Sequence, residues 1–287
     1  MSRYMPPAQG LSEAWIDVLA AMNAEPDGTA TNVMVTIPAP TPADEPAVRL
    51  VLDQELRRRD NHQVATVANT LFPSALYVPL DFAWAPDLPQ PQVDELDAAA
   101  NDLYSNYLEI LPTLKHVHAN AGGTYFSRMI AWPGKVGPGI NQLEERIAYL
   151  RTERTNGRRT SNASDLVIAG DGEGIGIQEY AATDRRTRGF PCLVHIDLSV
   201  HQGSLSLTAL YRHWHLITRA YGNMLGLTQL QQFLCQQTGL AVGELVVIAG
   251  YANAEHRDYG GRSGVAALVE QARAALPDAP EDNPAAA

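Results

Sequence analysis

The sequence is poor in several features that would assign it to a specialised class of protein. Its 287 residues include only two cysteines, Cys192 and Cys235, which are too few for a disulfide framework. No apolar run reaches the length of a membrane-spanning helix, and the opening segment MSRYMPPAQG has no apolar core of the kind found in secretion signals. We therefore expect a cytoplasmic protein with no membrane partner.

Positive charge is also scarce. The chain has 21 Lys and Arg against 32 Asp and Glu, which gives a formal net charge of −11 at pH 7. This balance argues against a general nucleic-acid binder, because a phosphate backbone requires a cationic face. It does not argue against a mononucleotide ligand, since one phosphate group needs only a few local arginines.

What the chain does contain is regular hydrophobic periodicity. Apolar residues at helical spacing predict helices over Leu11–Met22, Ala47–Arg59, Val93–Leu111, Gln142–Arg154 and Asn223–Thr238, the last stopped by Gly239. Apolar and alternating runs predict strands at Asn32–Ile37, at Val242–Gly250 and on both sides of a turn at His201–Ser204.

Three other segments have distinctive compositions. The basic triplet Arg57-Arg58-Arg59 favours a solvated helix end over a binding role. The glycine-rich stretch Ala169–Gly176 lacks the Lys-Ser/Thr of a phosphate-binding P-loop, so we expect a flexible loop near the mouth of the site. The tail Ala274–Ala287, rich in Ala, Pro and acid, is predicted to be disordered.

The stretch Phe190–Asn223 has the pattern of two strands joined by a tight turn. Cys192, Val194, Ile196, Leu198 and Val200 alternate with Leu193, His195, Asp197 and Ser199, so the two sets are predicted to lie on opposite faces. With Gln202-Gly203 as a two-residue loop, Cys192 lies opposite His213 and beside Arg212. Paired Cβ atoms are about 5 Å apart, and a neighbouring cation lowers the pKa of a thiol. This placement favours Cys192 as a nucleophile.

Each of these site residues also has an ordinary structural interpretation. For Cys192 the alternative to a nucleophile, less favoured, is a small buried hydrophobe, and Cys235 is predicted to be a core residue within a helix. Asn223 follows Gly222 at a helix start, where Asn is a favoured N-cap. His213 and His215 share one face of a strand. Structural or general-base roles for them are favoured over a metal pair, for which His195 or Glu255 would have to be the third ligand.

The order and spacing of several motifs resemble a known family. Pro191-Cys192, Arg212 and Asn223 repeat the spacing of the thymidylate synthase / deoxycytidylate hydroxymethylase superfamily. The run Thr124–Pro133, which contains Trp132, and the following Asn141-Gln142-Leu143 are similar to a Tyr-Gly…Trp…Asp-Gln run of that family. Gly157-Arg158-Arg159 resembles its Ser-Arg-Arg. The resemblance extends over about residues 120–255.

The resemblance implies a fold and an activity. The implied fold is α+β in a single domain, a large mixed sheet flanked by helices that forms a homodimer through sheet faces. We expect a divergent N-terminal part of the fold at 1–120, a core with the active site at 121–260, and a C-terminal helix with a disordered tail at 261–287. The implied reaction transfers a methyl or hydroxymethyl unit to C5 of a pyrimidine nucleoside monophosphate, with 5,10-methylenetetrahydrofolate as the expected one-carbon donor.

Residue roles follow from the same resemblance. Cys192 supplies the nucleophile, Arg212 together with Arg158 and Arg159 of the second subunit binds the phosphate, and Asn223 reads the pyrimidine edge. Trp132 falls in the substrate-binding set.

Some positions depart from the family pattern. Leu193 stands where the family has His, His213 and His215 stand where it has Ser and Asp, and the sugar-reading run is replaced by Ala249–Glu255. His213 or His215 then becomes the expected proton-transfer group. The departures leave two alternatives open: a homologue that binds a nucleotide or another anion without one-carbon transfer, and a Cys/His-dependent enzyme with a different substrate.

Overall fold

The structure of the protein is a computed structural model, and it describes residues 2–43, 45–117, 120–132, 139–156 and 192–277 together with the backbone of 175–176. Within these ranges the α-helices are α1 (Leu11–Ala24), α2 (Pro46–Arg58), α3 (Val64–Ala68), α4 (Gln90–Leu114), α5 (Tyr125–Ile130), α6 (Gln142–Thr155), α7 (Tyr221–Thr238) and α8 (Gly261–Ala274). The strands are β1 (Arg3–Tyr4), β2 (Thr29–Ile37), β3 (Ile175–Gly176), β4 (Leu193–His201), β5 (Ser204–Tyr211), β6 (Trp214–His215) and β7 (Ala241–Asn253).

These strands form one mixed sheet. Its order is β1-β2-β7-β5-β4-β3, and β6 continues the line of β5 by pairing with β7. β2 and β7 are antiparallel, whereas β5 and β7 run parallel. Helices flank this sheet, and the predicted α+β class with a large mixed sheet is confirmed.

One face of the sheet forms the wall of the hydrophobic core. The register aligns buried residues of neighbouring strands, for example Val35 with Val247 and Val247 with Ala209. α7 lies over this face, with Leu227, Leu230 and Leu234 fully buried. Burying apolar area on this scale is the main source of stability of such a fold.

The predicted helices are confirmed within a few residues at each end. Gly239 ends α7 in the left-handed region, at φ 65°. α7 begins earlier than its predicted start at Asn223, because a π-helical turn, Leu216–Ala220, leads directly into Tyr221. The N-cap interpretation of Asn223 is therefore wrong, and Asn223 lies inside the helix.

The β4–β5 hairpin has the predicted turn but contains one irregularity. From His195↔Leu210 to His201↔Ser204 the pairing is the predicted one, with Gln202-Gly203 as the two-residue loop. A bulge at Val194 then shifts the register, so that Leu193 pairs with Tyr211. Leu193 consequently lies on the buried face of β4, together with Ile196 and Leu198. The prediction that Leu193 lies on the other face of the strand is wrong.

α7 packs on α3 at unusually short distance. A Cβ on Gly222 would lie 2.6 Å from the Val67 Cβ, and one on Gly226 would lie 2.7 Å from the Ala68 carbonyl oxygen. From the other side, Trp15 of α1 packs edge-on against Tyr221 and donates its indole N–H to the Leu216 carbonyl at 2.7 Å. The start of α7 is therefore held between α1 and α3.

Several predictions fall partly outside the described residues. Of the glycine-rich stretch, only Ile175 and Gly176 are described, and they form β3 against β4 rather than the expected loop. The tail is described only to residue 277. In the described part of the chain, no helix has both the length and the apolar character needed to cross a membrane.

Close packing of α3 and α7 predicts a large effect of one methyl group. We expect Gly226→Ala to lower the free energy of unfolding by about 1–3 kcal/mol, because the added Cβ meets a backbone carbonyl that has no room to move. Gly10→Ala is the matched control, since a Cβ there meets nothing within 4 Å. Urea unfolding of both variants measures the difference, and equal midpoints would contradict the packing argument.

Candidate active site

Cys192 lies at the open end of the β4–β5 hairpin, immediately before the bulge. Its carbonyl oxygen accepts a hydrogen bond from the Arg212 backbone N–H at 2.8 Å, so Cys192 lies opposite Arg212. The predicted pairing with His213 is wrong, because the bulge at Val194 uses up one residue of β4. The thiol and the guanidinium nevertheless belong to directly paired residues, which keeps the two groups in one site.

The environment of the Cys192 thiol differs from the sequence expectation. Cys192 is half-buried, and burial raises the pKa of its thiol, while the Arg212 and Arg219 guanidinium groups act in the opposite direction. The expected net lowering of the pKa is therefore wrong for the described residues. The two arginines reduce a desolvation penalty and do not outweigh it.

Two tyrosine hydroxyls lie close to this thiol. The Leu193 backbone N–H donates to the Tyr125 hydroxyl at 3.4 Å, and burial followed by the neighbouring Cys192 raises the pKa of Tyr125 to about 12. Burial, Tyr125 and Cys192 also raise the pKa of Tyr211, whose hydroxyl has no hydrogen-bond partner among the described residues. Both hydroxyls are protonated at neutral pH and are potential hydrogen-bond donors to an anion formed next to Cys192.

His213 and His215 are adjacent, as the sequence predicts. Their rings stack with centroids 4.2 Å apart and an interplanar angle of 22°, and Tyr251 packs edge-on against His213. Burial lowers the pKa of both, assisted by His215 at His213 and by Arg219 at His215. The two rings are consequently neutral at pH 7, the form in which imidazole accepts a proton.

Glu255 connects the segment after β7 to the π-helical turn that precedes α7. Its carboxylate is buried and accepts hydrogen bonds from the backbone N–H groups of Ile217 and Thr218, at 2.7 and 2.9 Å, and from the Thr218 hydroxyl at 2.7 Å. Glu255 has a positive φ of 57°, and its own N–H is held by the Asn253 side chain at 2.7 Å. Burial raises the pKa of this carboxyl, which the Thr218 and Ile217 hydrogen bonds oppose. Glu255 therefore acts as a cap, satisfying donors at a helix start.

His215 Nδ1 lies 3.6 Å from a Glu255 oxygen. No group of three His, Cys, Asp or Glu among the described residues is arranged to hold a metal ion. The Glu255 carboxylate, one of the two third ligands considered from the sequence, instead accepts hydrogen bonds from Ile217 and Thr218.

The other residues singled out from the sequence lie at several different places in the structure. Asn223 is only 3% exposed, and its side-chain oxygen accepts a hydrogen bond from the Trp214 indole at 3.3 Å. Trp132 pairs with Ile140 in an isolated β-bridge. Arg158 and Arg159 lie outside the described residues. Cys235 is a buried core residue as predicted, and burial raises the pKa of its thiol to about 12.

A polar cavity of about 650 Å³ lies beside the histidine pair. Its lining includes His215, Arg219 and Glu255 together with side chains from the α2–α3 connection and from the segment after β7, namely Arg59, Asn61, Thr218, Arg257, Asp258 and Tyr259. Arg219 was not predicted from the sequence, and Arg59 was predicted to lie at a solvated helix end. The isolated cation in Leu-Ile-Thr-Arg-Ala, just before the helix Asn223–Thr238 predicted from the sequence, is the signal that could have identified Arg219.

Comparison with known proteins shows a weak relationship. No protein-family model matches the chain. A protein of Methanococcoides burtonii (strain DSM 6242) that bears the name "Putative thymidylate synthase" is 25% identical to this chain over 137 residues, which are 47% of this chain and 54% of that protein. The chain thus spans about half the length of the curated relative that it matches. The relationship of this chain to thymidylate synthases is weak and partial, in the direction that the sequence motifs indicated.

The capping role of Glu255 predicts a large loss of stability in Glu255→Ala. Two buried backbone N–H groups would lose their acceptor, so we expect the free energy of unfolding to fall by about 2–4 kcal/mol. Glu270→Ala is the control, since Glu270 is exposed and its ion pair with Arg273 has a length of 3.9 Å. Denaturant unfolding compares the two, and a similar small change in both would contradict the cap.

The environment of Cys192 predicts the pH dependence of its alkylation. Because the thiol pKa is raised, the rate with iodoacetamide should increase with pH through a midpoint above the ordinary value of about 8.5. In Arg212→Gln the thiolate loses a stabilising cation, so the midpoint should move higher and the rate at pH 8 should be about two- to tenfold lower.

Peptide mapping by mass spectrometry separates Cys192 from Cys235, which serves as the buried internal control. Arg58→Gln, an exposed change next to the same helix end as Arg59, should leave the profile unchanged. A profile for Arg212→Gln that overlays the unmodified protein would show that the guanidinium does not act on the thiol.

Proposed function

We propose that this protein is a divergent thymidylate synthase-like transferase that adds a one-carbon unit to C5 of a pyrimidine nucleoside monophosphate. The observation that carries the proposal is the pairing of Cys192 with Arg212 at the end of the hairpin, next to Tyr125 and Tyr211. Weak, partial similarity to a protein with the thymidylate synthase name supports the same class of reaction. The cavity lined by His215 and Arg219 has a volume in the range of small-ligand sites.

The chemistry begins with the Cys192 thiolate. Its sulfur forms a bond to C6 of the pyrimidine, and the C5–C6 double bond becomes an enolate-type anion that makes C5 nucleophilic. C5 then bonds to an electrophilic one-carbon unit, for which 5,10-methylenetetrahydrofolate is the expected donor. Loss of the C5 proton to a base and cleavage of the bond between the transferred carbon and the donor nitrogen leave an exocyclic methylene group on C5. Water adds to this methylene to give a hydroxymethyl group, or a hydride from the donor adds to give a methyl group. Cleavage of the C6–S bond then restores the C5–C6 double bond and the thiolate.

The side chains around Cys192 suit individual steps of this reaction. Arg212 stabilises the thiolate and, with Arg158 and Arg159 of a second subunit, is proposed to hold the phosphate. The Tyr125 and Tyr211 hydroxyls are donors for the charge that develops on the ring. His213 or His215, neutral at pH 7, is the proposed base for the C5 proton. Asn223 and Trp132 complete the proposed substrate-binding set.

The proposed homodimer uses the second face of the sheet. Met34 of β2 pairs with Ile248 of β7, and Ile248 pairs with Leu210 of β5, on the face turned away from α7. These three side chains are partly exposed in one chain, Leu210 by 37%. A row of exposed apolar side chains on a sheet face is suited to burial against a second copy.

A second candidate function is a homologue that binds a nucleotide without transferring a carbon unit. The raised pKa of Cys192 favours it, because a mainly protonated thiol is a weak nucleophile at neutral pH. The two candidates differ in whether a bond from Cys192 to the pyrimidine ever forms.

Mass spectrometry of the intact protein tests this difference. After incubation with 5-fluoro-pyrimidine nucleotides (uridine and cytidine, ribo and deoxy, with and without methylenetetrahydrofolate), we expect an adduct with the mass of one nucleotide, because the sulfur adds to C6. The adduct should be absent in Cys192→Ala. Dependence on folate would identify the carbon donor.

Cys235→Ala is the matched control and should form the adduct normally, since Cys235 is a core residue. If no nucleotide forms an adduct while thermal shifts show that one binds, the transferase proposal fails and the binding homologue is favoured. If none binds, both nucleotide proposals fail.

A further inference from the structure

A second cavity, of about 390 Å³, lies along the second half of α7. Its walls come from α7, from the 3₁₀ turn Ser74–Leu76 with the residues on either side of it, and from the segment before α2. Among the described residues, it shares no lining residue with the cavity beside the histidine pair and none with the set proposed for the transfer reaction. Its volume is in the range of sites for small molecules.

Three aromatic rings pack against one another at this cavity. Tyr77 is perpendicular to Phe233, with ring centres 4.9 Å apart, and the Phe72 ring centre lies 6.0 Å from Tyr77 and 5.5 Å from Phe233. The Tyr77 hydroxyl donates to the Gln236 side-chain oxygen at 2.6 Å, which holds the tyrosine ring in place. A fixed aromatic wall favours an aromatic ligand, because ring pairs gain free energy beyond the area that they bury.

The polar side of the cavity consists mainly of glutamines from one face of α7. Gln229, Gln232 and Gln236 follow the spacing i, i+3 and i+7, at which a packed helix usually presents apolar residues. Gln236 has a structural role, since its side-chain nitrogen donates to the Leu80 and Phe82 carbonyl oxygens at 2.6 and 3.0 Å. This leaves the amides of Gln229 and Gln232 as the polar groups that a ligand can use.

Gln229 is the lining residue whose hydrogen bonding is incomplete. Its side-chain oxygen Oε1 is buried and has no hydrogen-bond partner among the residues that the structure describes. A buried acceptor without a donor is unfavourable, and an N–H group on a ligand removes that penalty. The terminal torsion of Gln is soft, so a small rotation of the amide brings Oε1 to such a donor. Because the same amide plane carries N–H donors, its full complement is a ligand edge with N–H next to a carbonyl.

The residues that line this cavity carry no formal charge. Within the described part of the chain, the lining contains no Asp, Glu, Lys, Arg or His. An ionised ligand would lose its hydration there without gaining an opposite charge. The ligand that fits is therefore neutral, in contrast to the cavity beside the histidine pair, which arginines line.

From these features we propose that the cavity binds a neutral aromatic heterocycle with a cyclic amide edge. The ring packs on Phe72, Tyr77 and Phe233. The ring N–H donates to Gln229 Oε1, and the neighbouring carbonyl accepts from Gln229 Nε2. This site is independent of the proposed transfer reaction, since it needs neither Cys192 nor a second subunit.

The test combines matched ligands with matched variants of the full chain. The probe 2-quinolone is a neutral bicyclic cyclic amide, and 1-methyl-2-quinolone is its analogue without the N–H. Gln229→Met removes the amide at similar side-chain length, and Gln271→Met makes the same change at an exposed position of α8. Ser74→Phe adds a ring at a lining position and should fill the cavity. Calorimetry measures binding, and thermal unfolding confirms that each variant is folded.

We expect 2-quinolone to bind the unmodified protein with a Kd at or below about 1 mM and at least about tenfold more tightly than 1-methyl-2-quinolone. Gln229→Met should weaken binding of 2-quinolone at least about fivefold, since two hydrogen bonds are lost, and should change binding of the methylated analogue less than about twofold. Gln271→Met should bind both compounds as the unmodified protein does, and Ser74→Phe should bind neither. The anion 2-quinolone-4-carboxylate should bind at least about tenfold more weakly than 2-quinolone, because its charge gains no partner.

The same cyclic amide edge occurs in free heterocycles and in nucleosides. Hypoxanthine and inosine distinguish these two sources. Binding of both, with the same dependence on Gln229, would support a nucleoside site, whereas binding of hypoxanthine alone would support a site for the free base.

The inference is overturned if 2-quinolone does not bind the unmodified protein at concentrations up to about 1 mM. It is also overturned if Gln229→Met keeps the full preference for 2-quinolone over its methylated analogue, or if binding persists in Ser74→Phe, since the ligand would then lie elsewhere. The Cys192 adduct assay tests the transferase separately, because Gln229 and Ser74 have no part in that reaction.

Discussion

The candidate site depends on the hydrogen bonds of one buried carboxylate. Glu255 lies just after β7, the central strand that pairs with β2, β5 and β6. It accepts hydrogen bonds from the N–H groups of Ile217 and Thr218 in the π-helical turn that leads into α7. A buried carboxylate without such donors would be strongly unfavourable, so strand and helix start are held together.

This connection sets the positions of the side chains on either side of it. Arg219 follows the capped residues by one position, and His215 precedes them with its ring 3.6 Å from the same carboxylate. Because α7 is also held by Trp15 and by close packing on α3, the turn that carries Arg219 has little freedom in its backbone. A rigid scaffold with exposed side chains at its edge is a common basis for binding sites.

Opposing electrostatic effects meet at Cys192. Burial disfavours the thiolate form, while the Arg212 and Arg219 guanidinium groups stabilise it. The protonated hydroxyls of Tyr125 and Tyr211 are hydrogen-bond donors close to the sulfur. An anion bound near Arg219 would weaken the stabilisation of the thiolate by that guanidinium group, whereas exclusion of water would strengthen the remaining electrostatic interactions.

Much of the fold was accessible from local pattern. The helix over Gln142–Arg154, the strand ending at Ile37 and the loop Gln202-Gly203 follow from periodicity and turn chemistry, because these depend on neighbouring residues in the chain. The placement of His213 and His215 side by side on one face follows in the same way from alternation. The bulge at Val194 does not follow from local pattern, since the alternation looks regular on both sides of it. The extra residue changes the pairing partner of Cys192 from His213 to Arg212.

By itself the sequence determined the α+β class, most of the elements and the proximity of Cys192 to a cation, because each depends on short spacings along the chain. Only the tertiary structure decided that burial outweighs the cations at Cys192, since desolvation depends on everything packed around the thiol. Tertiary structure also decided that Asn223 lies inside a helix and that Glu255 caps one. It brought Arg59, Arg219 and Arg257 to one cavity, because residues so far apart in sequence meet only through the packing of α2, α7 and β7.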